Sequence, residues 1–287
     1  MPASLSQERV LASSHELPVF PRVITRILET LDDPAANLNR LVADIELDPV
    51  MTGRVISLAN RADRSPGAKR TANDVFTAIS LVGFSRVREA AILSSLAGFL
   101  ADMDDCQSSA YFWQHSVAVG VCSLEIASRA PIPVSVDSAL VAGLLHDIGQ
   151  LWLRRFEAQA FEQCWQASLT RGDDVTLAER DCFGVDHGTI GAWLCAGWGL
   201  SEDICKAVAD HHAPDAVSPA PLLAVVHLAE VLSNALNLVP GGHSRVISIS
   251  AACCALLGLT WGDESQALFG HLEARSRYAG HFFASAG

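Results

Sequence analysis

Ala142-Gly-Leu-Leu-His-Asp-Ile-Gly-Gln150 sets an adjacent histidine and aspartate, His146 and Asp147, inside a run that is otherwise apolar and reads as helix. Two strong polar groups side by side in an apolar segment must each find a partner once buried. A metal ion shared between them is one partner that satisfies both. Neighbours on a helix point about 100° apart. Such a pair can therefore flank one ion, or one member can bind while the other serves a second ion or a water. Four more histidines, His115, His187, His211 and His212, lie in segments able to close around the pair, and Glu230 follows on a later segment.

Each of these residues also has a plainer reading. His115, in Phe112-Trp-Gln-His-Ser116, fits a core-edge histidine bonded to a carbonyl. His187 fits a helix surface, and Glu230 a solvated side chain. His211-His212 fits a helix C-terminus, where cations are favoured. The case for a metal pocket rests on their joint occurrence around His146-Asp147. Imidazole and carboxylate together suit iron, manganese, zinc or nickel. Neither a Gly-x-Ser-x-Gly elbow nor a phosphate-binding Walker loop is present, so nucleophilic and nucleotide-cradling motifs are absent.

Outward from this stretch the chain reads as helix throughout. Ile24, Ile27, Leu28 and Leu31 follow the spacing of a one-sided helix. Leu38, Leu41, Val42 and Ile45 repeat it, with Asn37 placed as cap. Asp48-Pro49 opens a third helix. Val75, Ile79 and Val82 mark a fourth that Gly83 ends, and Ser85 is placed to cap a fifth running to about Leu100. The acidic stretch Ala101 to Ser109 is the candidate boundary. Beyond it a helix is expected from about Tyr111 to Arg129. Ser135 caps the helix carrying His146-Asp147. Thr176 and Glu179 spell a capping box that opens a helix through His187 towards Trp193. Ser201 starts a helix that ends near His211-His212, because Pro214 disfavours helix before it. Pro221 opens a helix from Leu222 to Leu236, and two short helices fill 247–257 and 264–279. No stretch alternates as a half-buried strand does.

Composition narrows the function classes. The 287-residue chain carries a formal charge of −12. The modest cluster Arg54, Arg61, Arg64, Lys69 and Arg70 makes no basic stripe, so no nucleic-acid partner is expected. No run approaches the roughly 18 apolar residues of a membrane span, and Met1 to Val10 lacks the pattern of a secretory signal. The chain is expected in the cytoplasm with no membrane partner. Its eight cysteines form no Cys-x-x-Cys pair and read as reduced core residues.

The order and spacing of short motifs resemble HDOD-domain proteins, a bacterial branch related to the HD superfamily of metal-dependent phosphohydrolases. The N-terminal matches are Glu16-Leu-Pro-Val-Phe-Pro21, Ile45-Glu-Leu-Asp-Pro49, Arg54-Val-Ile-Ser-Leu-Ala-Asn60 and Ala78-Ile-Ser-Leu-Val-Gly83. The later ones are Trp113-Gln-His115, Gly143-Leu-Leu-His-Asp-Ile-Gly149, Asp186-His-Gly-Thr-Ile-Gly191, Trp198-Gly199 and Asp210-His-His212. The resemblance implies an all-α fold: an N-terminal tail over 1–14, a multi-helix N-terminal subdomain over 15–105, and packed with it an HD-like helical subdomain over 106–287. It implies a metal set of His115, His146, Asp147, His187, His211 and His212, with Glu230 at the position of a late aspartate. It also implies a signalling module that acts through regulatory proteins, receiver or sensor domains, or a ligand.

Two departures weigh against catalysis. Gln150 stands where catalytic relatives often have lysine, which removes a positive group that helps to hold phosphate. After His212 the chain reads Ala213-Pro-Asp-Ala216 in place of the Gly-Tyr-Pro signature of cyclic-di-GMP phosphodiesterases. The alternative to a regulatory module is a metal-dependent phosphohydrolase in which Asp147 bridges two ions or orients a water.

Overall fold

Short polar side chains set many of the helix starts. In the computed structural model, which describes residues 4–16, 37–47, 49–62, 71–103, 110–172, 174–239, 248–260 and 262–284, the side chains of Asp74, Ser135, Asp174, Asp186, Ser201 and Ser250 each accept a backbone N–H of the first helical turn. Each cap satisfies a donor the helix itself cannot, and is typically worth about 1 kcal/mol. Among the described residues there is no strand, and the fold is all-α. The chain divides into two compact units, residues 19–100 and residues 1–18 with 101–287.

The unit of residues 19–100 contains α2 (Asn37–Glu46), α3 (Pro49–Ala62), α4 (Val75–Val82) and the body of α5 (Phe84–Met103); α1 (Gln7–Ala12) precedes it in the chain. Ile45, Val55, Val75 and Val87 are fully buried in it. The Asn60 side chain accepts from the Ala72 N–H (2.7 Å) and donates to the Ala72 carbonyl (3.0 Å), tying α3 to the segment before α4. Two start signals shift. Asn37 is the first residue of α2, and Ser85 lies inside the first turn of α5, which begins at Phe84 directly after Gly83. The expected helix at Ile24 to Leu31 and the expected cap Asp48 lie outside the described residues.

The larger unit is built on α6 (Ala110–Arg129), α7 (Val136–Leu145), α8 (Ile148–Phe156), α9 (Ala158–Arg171), α10 (Val175–Phe183), α11 (His187–Gly197), α12 (Glu202–Asp210), α13 (Pro221–Ala235), α14 (Ala251–Leu256) and α15 (Asp263–Ala284). Its centre is α13, buried on every side from Leu222 to Ser233 and packed against α6, α7, α12 and α14. Burying each Leu or Val there contributes about 1.5–3 kcal/mol. That is why this helix reads as a nearly unbroken apolar run instead of a one-sided stripe.

Three local expectations are corrected. Within the tail expected over 1–14, the described residues are packed: α1 (Gln7–Ala12) lies on α11, the Leu5 N–H donates to the Phe183 carbonyl (2.8 Å), and the buried Trp152 indole donates to Ser13 Oγ (2.9 Å). Thr176 and Glu179 make no capping box. Asp174 caps α10, and the helix stops at Gly184, whose φ of 77° suits a residue without Cβ, before α11 restarts at His187. His146-Asp147 is not inside a helix either; it forms the turn between α7 and α8.

Candidate metal centre

The turn at residues 146–147 explains how adjacent side chains serve one point. His146 ends α7 with helical angles, whereas Asp147 has φ −99° and ψ 10°, and α8 leaves in a new direction. Close packing then brings the other helices in. A Cβ on Gly149 would lie 2.0 Å from the His187 carbonyl oxygen, and one on Gly188 would lie 2.6 Å from that of Ala209. Only glycine lets α8 meet α11 and α11 meet α12 at these distances.

Five segments deliver the expected residues to one buried pocket. His115 comes from α6, His146 and Asp147 from the turn, His187 from the first residue of α11, His211 and His212 from the turn after α12, and Glu230 from α13. Asp147 sits between them. Its Oδ1 is 3.1 Å from His187 Nε2 and 3.8 Å from His211 Nε2. Its Oδ2 is 3.3 Å from His146 Nε2 and 3.9 Å from His115 Nε2. Glu230 lies 3.8 Å from both His211 and His212. Three groups have ligand atoms within 4.8 Å of one another: Asp147 with His187, His211 and His212; His115 with His146 and Asp147; and His146 with His211 and Glu230. All seven sequence candidates are brought together.

Hydrogen bonds fix which nitrogen faces inward. Nδ1 of His146 lies 2.8 Å from the Gly143 carbonyl, and Nδ1 of His211 lies 2.8 Å from the Val208 carbonyl. A carbonyl only accepts, so in each ring Nδ1 carries a proton, and in the neutral ring Nε2 presents a lone pair. His187 is held more firmly. Both its backbone N–H (2.8 Å) and its Nδ1 (2.7 Å) donate to Oε2 of Glu179, which is completely buried on α10. This is the carboxylate–histidine arrangement that orients metal-ligating rings. Nε2 of His146 and of His211 are buried with no hydrogen-bond partner.

Titration follows the same geometry. Burial opposes charge on Asp147, but the His146 charge and the His187 ring outweigh it and hold its carboxyl well below the usual range. Burial likewise opposes charge on His187, yet Glu179 and Asp147 lift it well above an ordinary imidazole. Burial and the adjacent His212 keep His211 well below that range. Burial and His187 push His212 down to about 4. Burial and His146 lower His115, whereas on His146 burial is outweighed by Asp147, which lifts the ring. The carboxylate is thus ionised, with His146 and His187 held towards their charged form beside it and His115, His211 and His212 towards the neutral one.

Three supporting residues escaped the sequence reading. Glu179 looked like a capping-box partner. Gln150 was read only as a missing lysine, yet its Nε2 donates to Asp147 Oδ1 (2.9 Å). Tyr111 stacks on His115, with centroids 5.8 Å apart and planes 9° apart, one turn earlier on α6. The spacing Tyr111/His115 was a usable signal; a buried glutamate and its distant partner leave none.

An all-helical unit that gathers histidines around a His–Asp turn is an HD-like protein. The HDOD domain model matches residues 17–214, and the chain belongs to that family. A structure of an HDOD domain protein of unknown function from Geobacter sulfurreducens is 25% identical, with a TM-score of 0.72 over 97% of this chain and 98% of that one. One from Marinobacter aquaeolei VT8, named as a candidate signal transduction protein, is 23% identical, with a TM-score of 0.74 over 96% of this chain and 61% of that one. An uncharacterised protein of Treponema pallidum (strain Nichols) is 21% identical over 208 residues, 71% of this chain but only 40% of that relative's length. Among the described residues, no helix is long and apolar enough to cross a membrane.

Proposed function

We propose that this HDOD protein is a cytoplasmic signal-transduction module whose histidine–aspartate pocket holds one or two divalent ions of iron, manganese, zinc or nickel. Regulatory proteins, or receiver or sensor domains, dock on its helical surfaces. On this reading residues 19–100 supply the N-terminal helical subdomain and the larger unit is the HD-like one. The observation that carries the metal reading is the pair of orphaned Nε2 atoms on His146 and His211. Leaving a buried polar atom unpaired costs about 1–3 kcal/mol. Two such lone pairs beside an ionised carboxylate are accounted for together by a cation.

The chain's own residues do the positioning. Gln150 and His187 hold Oδ1 of Asp147, Glu179 holds His187, and the Gly143 and Val208 carbonyls turn His146 and His211 inward. A bound ion supplies Lewis acidity, which lowers the pKa of a water and polarises a phosphoryl oxygen. A second reading, a metal-dependent phosphohydrolase, is favoured by one feature: the two oxygens of Asp147 face different ligand groups, as a bridge between two ions requires. Against it, the Gln150 amide is engaged with Asp147, so position 150 offers phosphate no cation.

Elemental analysis of untagged protein tests the metal reading, with His146→Ala as control. Metal in the wild type and its loss from the variant are expected. Protein that carries no metal and takes up none on reconstitution overturns the reading. Robust manganese- or iron-dependent phosphodiester turnover, lost in Asp147→Asn, replaces the regulatory reading with the hydrolase.

A further inference from the structure

His227 interrupts the apolar run of α13, and it is buried with both ring nitrogens engaged. Its Nδ1 lies 2.7 Å from the His211 carbonyl oxygen, and its Nε2 lies 3.1 Å from the Ser250 backbone nitrogen. The carbonyl only accepts and the amide only donates. Nδ1 therefore carries the proton, Nε2 the lone pair, and one neutral tautomer fits. The His211 carbonyl is one that α12, ending at Asp210, leaves without a helical partner. Ser250 is itself fixed. Its Oγ donates to Asp215 Oδ1 (2.6 Å) and accepts from the Cys253 N–H (3.1 Å) as the cap of α14. A closed ring thus runs from the His211 backbone through residues 212–215, Asp215, Ser250 and His227 back to His211. It encloses the turn that carries two pocket histidines.

We infer that His227 is a positioning residue: it holds the His211 carbonyl so that His211 and His212 keep their aim at Asp147 and Glu230, and it ties that aim to the segment 248–260, beyond the residues matched to the HDOD domain. This rests on the metal reading above. The α13 helix then contributes twice, with Glu230 facing the pocket and His227, one turn earlier, gripping the backbone behind it. Partners that orient metal ligands change metal affinity by about 10–100-fold when removed.

The test uses cobalt(II) as probe, with affinity from chelator competition, the visible spectrum of the bound ion, and thermal melting of each variant. In reach, an asparagine amide matches His227 Nδ1 and a glutamine amide matches Nε2. His227→Asn retains a donor for the His211 carbonyl; His227→Gln retains an acceptor for Ser250 only. His227→Phe and His227→Gln are expected to bind cobalt about 10–100-fold more weakly with an altered spectrum, and His227→Asn to stay within about threefold of wild type. Wild-type affinity in His227→Gln, or equal weakness in Asn and Gln variants, overturns the inference while leaving the metal reading intact. Wild-type protein that binds no cobalt overturns both. Should His227→Phe fail to fold, the Asn and Gln pair still decides.

Discussion

Two buried carboxylates of the larger unit make an instructive pair. Glu125, on α6, is bound by Arg129 one turn along, by Arg275 Nε at 2.7 Å and by His271 Nε2 at 3.1 Å from α15. Burial opposes its ionisation, and the guanidinium groups more than offset that, so its carboxyl sits below the usual range. Both oxygens are satisfied within the protein. Asp147 is similarly buried and is held still further in its charged form, but among imidazoles whose inward nitrogens are partly unpaired. Permanent cations close the first cluster as a lock between helices. The second keeps two buried ring nitrogens, on His146 and His211, without a hydrogen-bond partner beside an ionised carboxylate, the arrangement that the proposed ion would complete.

Breaking each cluster in turn sharpens this contrast. Glu125→Ala is expected to cost about 2 kcal/mol of unfolding free energy in denaturant titration. That is less than the roughly 3–5 kcal/mol of a fully buried pair, since Arg129 stays 42% exposed. Metal content should not change; a fall in bound metal would end the distinction between the clusters. Glu179→Gln should show the reverse. Its amide oxygen can still accept from His187 but carries no negative charge to raise the basicity of the ring, so metal affinity drops by about 10–100-fold, read by chelator competition.

The smallest expected effect is in pH. The folded value of His187 lies above 6.5. In metal-free protein its charged form therefore stabilises the fold fully below pH 6.5, and this contribution fades as pH rises through the folded value. An ion requires the neutral ring, so metal affinity rises across the same window. The gain in melting temperature on adding zinc should grow as pH is raised from 6.5. The Glu125 cluster runs in the opposite range: its contribution is present above pH 4.5 and is lost as pH falls towards the lowered folded value. A zinc-induced gain that is flat with pH would show that the His187 proton is not displaced.

Local order was largely legible. Ser135, Ser201, Pro221 and Gly83 mark real helix ends because caps and breakers act within a few residues. The misreadings share one cause. Thr176 and Glu179 have capping-box spacing, but the Glu179 side chain is claimed by His187, eight residues on, once Gly184 folds the chain back. Residues 1–14 are expected as a tail, yet Leu5 and Val10 are buried and α1 lies on α11. Gln150 signals an absent lysine in the sequence and a hydrogen bond to Asp147 in the structure.

Residue identity alone determined the all-helical class, the family, and the seven side chains able to meet around His146-Asp147, because periodicity, caps and donor chemistry are written locally. Tertiary structure alone decided that the seven do meet, that the Nε2 atoms of the five histidines face inward, and that Glu179, Gln150 and His227 hold them there. Those outcomes depend on glycine-to-backbone contacts between helices far apart along the chain, and no local spacing encodes which carbonyl or carboxylate will stand behind a given ring.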